Sequence, residues 1–372
     1  MRALVVTGTR ADWGLWVPVL AEMRRRGGVE IEVLVTGMHL DDRFGATVGE
    51  VRSSGYPIAA EVPGVAQGDS RIDMVVALGT SIAGMAPVVG QRAPDWVLVL
   101  GDRGEQLAAA LIALHQGLAV AHVHGGERTL GAVDDAMRDM VSRVAHLHFV
   151  ADESAAARLG RLGEAPWRIH VSGAPGLDDL VQLRDRPGPA GGAPDRPYAV
   201  VIHHPETVGD SDPVAAAELI FEIVRERGLD AVAILPNSDA GGGAVRNAIL
   251  ARASELSAVV PSLPRAEYVR LLSHAAVLIG NSSSGLIEAP LLKLPAVNVG
   301  DRQRGRLRGD NVIDANVDRD SISAALDRAL SAEFRAGLSG VSPYGSGDAS
   351  RRIVDTLLSV PIDRRLLIKE VA

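Results

Sequence analysis

The segment HGGERTLGAVDD, His124 to Asp135, combines proton-handling groups with a flexible backbone. Its twelve residues include one histidine, one glutamate, two aspartates and three glycines. A histidine exchanges a proton near neutral pH, and positioned carboxylates act as general acids or bases. Asp134 and Asp135 also suit the first turn of a helix. Helix capping explains one aspartate, but it does not explain His124 and Glu127. The segment therefore predicts a proton-transfer site with His124, Glu127 and Asp134 as catalytic residues.

Polar residues also follow two other apolar runs. In VLVLGDRGEQ, Asp102 stands where either a catalytic carboxylate or a helix N-cap is expected. In VIHHPETVGDS, His203 and His204 end a run, and His204 precedes a proline, which favours extended backbone. A histidine at a strand end is more often structural than functional. No HExxH-like spacing occurs, so no metal site is predicted.

Two segments suit a phosphate. In VTGTRADWG, Gly8 permits a tight turn into a helix, and Arg10 offers a charge-assisted contact. Asp12 is then an N-cap or a ligand contact; the alternative is a plain turn with a surface arginine. In GNSSSGLIEAP, three serines precede an expected helix start, which predicts a diphosphate cradle, and the following glutamate suits a ribose diol. These binding residues are Ser282, Ser283, Ser284, Gly285 and Glu288.

An arginine run follows one strand later, in GDRQRGRLRGDN. Such a run is usually solvated surface, but here it is placed to close over a nucleotide. Its members are Arg302, Arg304, Arg306 and Arg308.

Positioning these residues requires strands that alternate with helices. Both halves of the chain alternate in this way, which is typical of β-α-β units in parallel sheets that bind ligands at the carboxyl ends of the strands. The predicted strands are 3–6, 31–35, 96–100, 119–123, 147–150, 199–202, 231–235, 277–279 and 296–299. The predicted helices are 15–26, 74–89, 105–115, 134–144, 214–227, 244–253, 267–273, 285–292, 322–330 and 350–358.

The pattern predicts two doubly wound domains. RDRPGPAGGAPDRP, Arg184 to Pro197, carries four prolines and three glycines and marks the linker. The predicted division is an N-terminal domain at 1–185, a linker at 186–197 and a C-terminal domain at 198–345. A helix and tail at 346–372 are expected to pack back toward the N-terminal domain.

The composition excludes several classes. With 372 residues and 47% hydrophobic content the chain is globular, and the absence of cysteine excludes disulfides and thiolate chemistry. A net charge of −8 argues against general nucleic-acid binding. No secretory leader and no run of about 18 apolar residues is recognisable, so we expect a cytoplasmic protein without a membrane segment.

The ordered motifs resemble one family from residue 3 to about 330. TGTRADWG, TGMHL, GDRGE, HGGERTLGAVDD, HLHFVA, HHPET, GNSSSGLIEAP and GDRQRGR are similar to those of the hydrolysing UDP-N-acetylglucosamine 2-epimerases of sialic-acid-type sugar biosynthesis. The resemblance implies a GT-B fold, with two Rossmann-like domains and an interdomain active-site cleft. It also implies a homodimer that uses no cofactor. The implied reaction eliminates UDP from a UDP-N-acetylhexosamine to give a 2-acetamidoglucal, whose hydration yields the 2-epimer.

The resemblance also implies roles for matching residues. It assigns acid or base roles to Asp102 and Asp134, and places His204 near the leaving diphosphate. The implied nucleotide contacts are Arg10, Ser282, Ser283, Gly285, Glu288 and Arg302. Two residues depart from the pattern, because many relatives have lysine at Leu15 and some have a catalytic glutamate at His124.

Several alternatives remain open. The sugar is N-acetylglucosamine or a 2,4-diacetamido-2,4,6-trideoxy-hexose of the legionaminic acid route. A non-hydrolysing epimerase would return the UDP-linked epimer, although RAD and HHPET differ from the RPE and HRRE of that branch. Two further alternatives are a GT-B glycosyltransferase and a catalytically inactive nucleotide-sugar binding protein.

Overall fold

The computed structural model describes residues 1–68, 70–130, 132–186, 192–207 and 212–369. The chain divides into two compact units. Unit 1 comprises Met1–Arg128, Asp134–Asp178 and Tyr344–Ala372, and unit 2 comprises Thr129–Val133 and Asp179–Pro343. Part of the predicted linker, residues 187–191, lies outside the described residues, as do Gly131 of HGGERTLGAVDD and the VGDS that follows HHPET.

Unit 1 contains a parallel sheet of seven strands in the order β3-β2-β1-β4-β5-β6-β7. Its central strands are buried on both faces, which explains why they are continuous apolar runs. The strands are β1 Arg2–Thr7, β2 Glu30–Thr36, β3 Ile58–Val62, β4 Trp96–Leu100, β5 Ala119–Val123, β6 Leu147–Val150 and β7 Ile169–Val171. The helices are α1 Arg10–Arg26, α2 Val48–Ser53, α3 Arg71–Arg92, α4 Gly104–His115, α5 Asp134–Val144 and α6 Glu153–Arg161.

Unit 2 repeats the same winding in a parallel sheet of six strands, ordered β10-β9-β8-β11-β12-β13. Its helices are α7 Leu180–Arg184, α8 Pro213–Glu226, α9 Gly242–Ala251, α10 Arg265–His274, α11 Ser284–Ile287, α12 Arg319–Leu330 and α13 Ala332–Ala336. Its strands are β8 Tyr198–Ile202, β9 Asp230–Ile234, β10 Ala258–Val260, β11 Val277–Gly280, β12 Ala296–Val299 and β13 Val312–Ala315. Two further helices, α14 Ala349–Ser359 and α15 Arg364–Leu367, belong to unit 1.

The predicted α/β class with two doubly wound sheets is confirmed. Every predicted strand exists, and each lies inside a sheet. The helix predicted at 285–292 is wrong in extent, because α11 ends at Ile287. Pro290 explains this early end, since proline cannot donate the helical hydrogen bond and restricts the residue before it.

The chain end is bound into the core of unit 1. Ile353, Val354 and Leu357 of α14 pack in the same apolar cluster as Trp16 of α1. Arg168 donates to the carbonyl oxygens of Arg365, Leu366 and Ile368 at 2.8–3.1 Å. Each fully buried large apolar side chain contributes about 1.5–3 kcal/mol, so α14 stabilises unit 1 substantially.

Helix α3 differs from the other helices in its exposed apolar surface. Ile72, Val75 and Val76 are 61–66% exposed. The helix is long and apolar enough to cross a membrane by length and composition, although Thr80 and Ser81 interrupt its apolar run. The sequence-based prediction contained no membrane-spanning helix. The core helices of soluble proteins meet the same criterion.

Gly280, at the end of β11, provides a test of this local architecture. A Cβ there would lie 2.0 Å from the carbonyl oxygen of Ile202, and its φ of +133° disfavours side chains. We expect Gly280→Ala to lower the free energy of unfolding by at least about 2 kcal/mol, measured by chemical denaturation. Gly160→Ala, in the last turn of α6 with no neighbour within 4 Å, is the matched control and should leave stability unchanged or raise it by up to about 1 kcal/mol. Equal effects of the two variants would contradict this role of Gly280.

Candidate functional site

The proton-handling residues of unit 1 follow neighbouring strands of its sheet. β1, β4 and β5 lie side by side, and the strand order reverses at β1 and β4. In open parallel sheets this reversal is where ligands bind, beyond the carboxyl ends of the strands. Asp102 follows β4 and His124 follows β5, so the fold brings these two predicted residues to one edge.

Arg138, one turn into α5, is the centre of this group. Its side chain is buried, one guanidinium nitrogen forms an ion pair with Asp102, and the other donates to the carbonyl oxygen of His124 at 2.5 Å. Burial alone would lower the pKa of Arg138, but nearby carboxylates outweigh it and raise the pKa above its ordinary value. Those carboxylates are Asp102, Glu127, Asp134 and Asp135.

The alternative reading of Asp102 as a helix N-cap is wrong. Arg103 occupies the N-cap position of α4, and its side chain makes no capping hydrogen bond there. The Asp102 carboxylate instead pairs with Arg138, 36 residues away in the chain. An aspartate held by a buried arginine at a strand end is an oriented charge, as a catalytic carboxylate must be.

His124 and Glu127 form a buried pair. His124 Nδ1 and Glu127 Oε1 are joined by a short hydrogen bond, and both residues are about 5% exposed or less. His124 has a φ of +62°, a left-handed conformation that is uncommon outside glycine and is often found at functional sites. Within the described residues, His124 Nε2 is buried without a hydrogen-bond partner. This atom can therefore accept or donate a proton to a bound molecule.

The two aspartates of the segment have different surroundings. Asp134 and Asp135 begin α5, as predicted. Asp134 is buried, whereas Asp135 forms ion pairs with Arg128 and Arg158 at 3.1 and 3.4 Å. Both aspartates interact electrostatically with the buried Arg138.

The first loop of unit 1 holds Asp12 structurally. Thr9 is the N-cap of α1, so the N-cap reading of Asp12 is wrong; Asp12 is the third helical residue of a capping box. Its carboxylate accepts hydrogen bonds from the Gly8 and Thr9 amides and the Thr7 hydroxyl at 2.8–2.9 Å. Arg10 forms an ion pair with Glu50 of α2. A nucleotide contact by Arg10 would have to compete with or share this carboxylate.

In unit 2, His204 lies where the strand order reverses. It follows β8, and Asn281 follows the adjacent β11. The Asn281 amide bridges the two chain segments, accepting from the His204 N–H and donating to the His204 carbonyl oxygen, both at 2.8 Å. The His204 Nδ1 accepts from the Asn237 N–H at 3.3 Å, which places the proton of the neutral ring on Nε2.

His203 directly follows β8, and its Nδ1 is buried without a hydrogen-bond partner among the described residues. Its side chain is buried, and burial lowers its pKa to about 4, with a smaller effect from the positive charge of Arg302. The ring is therefore neutral at pH 7.

The helix that follows the serine segment is shorter than expected. Because α11 has only four residues, its dipole is weaker than that of the predicted longer helix. Ser282, Ser283 and Ser284 are half-buried, and the Ser282 hydroxyl accepts from the Ser284 N–H at 3.3 Å. Gly285 lies against β12, where an added Cβ would come within 3.2 Å of Ala296.

Glu288 is buried at the end of α11. Its carboxylate lies 4.0 Å from the guanidinium of Arg265. Arg265 is held in turn by Asp179 at 2.8 Å.

Arg302 of GDRQRGRLRGDN contacts Asn281, which directly precedes the three serines. Arg302 donates to the Asn281 carbonyl oxygen at 3.4 Å, and Gln303 donates to the same oxygen at 2.8 Å. Glu206 of HHPET accepts from the Asp301 and Arg302 amides at 2.9 and 3.2 Å. The other arginines bond locally: Arg304 to Asp301, Arg306 to Gln303, and Arg308 to Asp314.

Sequence reasoning missed three residues of these groups, namely Arg138, Asn281 and Gln303. Arg138 lies four residues after Asp134, on the same face of a helix, and this spacing was an available signal. Asn281 and Gln303 carried no such signal, because their role depends on strands that meet only in the folded chain. Among the described residues, no group of three or more His, Asp or Glu side chains could hold a metal ion.

Comparison with known proteins agrees with this architecture. The family model of UDP-N-acetylglucosamine 2-epimerase matches residues 21–358. A UDP-N,N'-diacetylbacillosamine 2-epimerase (hydrolyzing) of Legionella pneumophila is 36% identical over 99% of this chain and 98% of its own. A UDP-N-acetylglucosamine 2-epimerase of Neisseria meningitidis serogroup B is 33% identical over 89% and 88%, respectively.

A solved structure supports the fold. The crystal structure of UDP-GlcNAc 2-epimerase from Neisseria meningitidis bound to UDP-GlcNAc matches with a TM-score of 0.80, covering 97% of this chain and 100% of its own at 20% identity. The predicted GT-B-like fold is confirmed by this likeness.

The carboxylates around Arg138 give a prediction about stability. Arg138→Met leaves them without their cation, so we expect the free energy of unfolding at pH 7 to fall by roughly 3–5 kcal/mol. Protonation of the carboxylates at low pH removes their repulsion, so the difference from wild type should shrink on acidification. Arg143→Met, an exposed arginine of the same helix, should change stability by less than about 0.5 kcal/mol. Denaturant titrations at several pH values measure both variants, and a pH-independent deficit in Arg138→Met would contradict the electrostatic account.

Proposed function

The chain belongs to the UDP-N-acetylglucosamine 2-epimerase family and is a UDP-sugar 2-epimerase, and we propose that it is of the hydrolysing kind. It converts a UDP-N-acetylhexosamine and water into UDP and the free 2-epimeric sugar. The observation that carries this proposal is the group of four carboxylates around the buried Arg138, next to the His124–Glu127 pair. Inversion at C2 requires proton removal and proton return on opposite faces of the ring, and this group holds more than one candidate for each step.

The first step is elimination. A base removes the C2 proton, the C1–O bond to UDP breaks with its electron pair going to the leaving diphosphate, and a C1–C2 double bond forms in a 2-acetamidoglucal. Asp102, oriented by Arg138 as a charged carboxylate, is the base we assign to this step. A positioned base of this kind contributes about 10²–10⁴-fold.

The second step is hydration. Water adds its oxygen to C1, and a proton is delivered to C2 on the face opposite to the one from which the first proton left. His124 and Glu127 are hydrogen-bonded to each other, and the Nε2 of His124 has no hydrogen-bond partner among the described residues. We assign proton delivery to this pair, with Asp134 activating the water.

The leaving diphosphate is stabilised by residues of unit 2. His204 presents the proton of its Nε2, Arg302 supplies positive charge, and Ser283 adds a hydroxyl without a hydrogen-bond partner among the described residues. Preorganised donors and cations at developing charge are a large source of catalysis. Ser282, Ser284 and Gly285 shape the cradle, and Glu288 receives the ribose hydroxyls. Asp12 supports this site through the first loop.

The hydrolysing branch is supported by the relative of Legionella pneumophila, whose name includes hydrolysis and which aligns along nearly the whole chain. That name also favours a second substrate, a UDP-sugar with acetamido groups at both C2 and C4. UDP-N-acetylglucosamine and this diacetamido sugar are therefore the two candidates, and sialic or legionaminic acid synthesis is the corresponding pathway.

We also propose a cytoplasmic homodimer. Its support is the exposed apolar face of α3; the neighbouring helices α4 and α5 also expose Leu114 and Met140. Exposed apolar surface of this kind marks an interaction site.

Turnover in D₂O tests the reaction. With UDP-N-acetylglucosamine and the diacetamido sugar supplied separately, we expect UDP and a free sugar inverted at C2 that carries one deuterium there, as observed by proton NMR. Asp102→Asn should lower kcat by about 10²–10⁴-fold. An intact UDP-linked epimer identifies the non-hydrolysing reaction. Transfer that requires an acceptor identifies a glycosyltransferase, and UDP binding without turnover identifies a binding protein; each outcome contradicts the proposal.

The dimer is tested by sedimentation. A charge at the centre of an apolar interface is strongly unfavourable, so we expect Val76→Asp to convert a dimer into a monomer. Val341→Asp, which is 67% exposed in unit 2, is the control and should stay dimeric. A monomeric wild type, or a dimeric Val76→Asp, would overturn the assignment of this face.

A further inference from the structure

We propose that Thr207 is a positioning residue that sets the start of α5, and with it the Asp134 and Arg138 side chains, from the segment that holds the leaving diphosphate. The inference rests on the proposed function for its catalytic consequence. Its structural basis is a single hydrogen bond: the Thr207 hydroxyl accepts from the Val133 N–H at 2.9 Å.

The start of α5 lacks the residue types of a capping box at its N-cap and third helical positions. In α1 and α3, the N-cap is a threonine or serine, and the third helical residue is an aspartate whose carboxylate accepts the N-cap N–H. In α5 the position before Asp134 is Val133, and the third helical residue is Ala136, so neither side chain can complete such a box. Thr207, 74 residues along the chain, accepts the Val133 N–H in place of the missing carboxylate.

The segment that contains Val133 is grouped with unit 2, as is Thr207. Thr129–Val133 belongs to unit 2, while Arg128 and Asp134 on either side belong to unit 1. Ala132 closes a turn onto the Thr129 carbonyl oxygen at 3.0 Å. The described residues of this segment, which directly precede Asp134, are therefore grouped with unit 2.

Thr207 shares its short segment with the diphosphate side of the site. His204 is tied to Asn281, and Glu206 accepts from the Asp301 and Arg302 amides. A diphosphate that binds His204 and Arg302 fixes this segment, and the Thr207 hydroxyl passes that restraint to Val133. Occupancy by UDP thus orders the proton-transfer side before chemistry begins.

Hydrogen exchange tests the link without turnover. In the wild type, UDP should slow amide exchange in the peptide that covers residues 129–135. Thr207→Val removes the acceptor but keeps the shape, so exchange in this peptide should be faster and should no longer respond to UDP. Thr207→Ser keeps the hydroxyl and should behave as wild type. A UDP response preserved in Thr207→Val, or lost equally in Thr207→Ser, overturns the proposal.

Kinetics give the second readout. Loss of one neutral hydrogen bond predicts a kcat reduced by roughly 3- to 10-fold in Thr207→Val. KM and UDP affinity should stay within about twofold, and more free 2-acetamidoglucal should escape per turnover. Thr356→Val, a half-buried threonine of α14 in unit 1, is the control and should match wild type. If the wild type turns over none of the UDP-sugars, the proposed function fails, while the exchange experiment still decides the role of Thr207. A KM effect without a kcat effect would also overturn that role.

Discussion

The buried guanidinium of Arg138 is the interaction on which the site depends. Several carboxylates interact with it, and its hydrogen bond to the His124 carbonyl oxygen fixes a backbone that is left-handed at that residue. Without a central cation, so many acidic groups in a buried region would repel one another or take up protons. One side chain thus makes it possible to gather acid and base candidates at a single sheet edge.

The two sheets position their functional loops in the same way. Each reverses its strand order at its first and fourth strands, and each uses a buried amide side chain at that point. In unit 1, Gln106 donates toward the Val6 carbonyl oxygen at 3.5 Å and accepts from the Leu100 N–H at 3.2 Å. In unit 2, Asn281 bridges to His204. The amides join two strand ends whose following loops carry the functional residues.

The sequence was sufficient to predict the interior of both sheets but not their edges. The four strands that escaped prediction, β3, β7, β10 and β13, are the edge strands. Interior strands are buried on both faces and appear as unbroken apolar runs, as in WVLVL. Edge strands are short and partly exposed, as IHV of β7 is, so their composition resembles that of loops.

The site residues were predictable only where they follow interior strands. Residues that follow interior strands, such as Asp102 and His204, were identified because the strands themselves were. Arg138 was missed because its importance comes from the charges that the fold gathers around it. Asp12 was expected to be an N-cap or a ligand contact, and the structure places it at the third position of a capping box instead of at the N-cap, since these roles use the same residue types at a loop-to-helix junction.

The origin of the oxygen atoms tests the central claim most directly. In water enriched in ¹⁸O, elimination followed by hydration breaks the C1–O bond, so mass spectrometry should find UDP free of ¹⁸O and NMR should find the free sugar inverted at C2. If UDP carries ¹⁸O, water has attacked phosphorus instead. That result, or a free sugar with C2 unchanged, would contradict proton transfer by the Arg138-centred group.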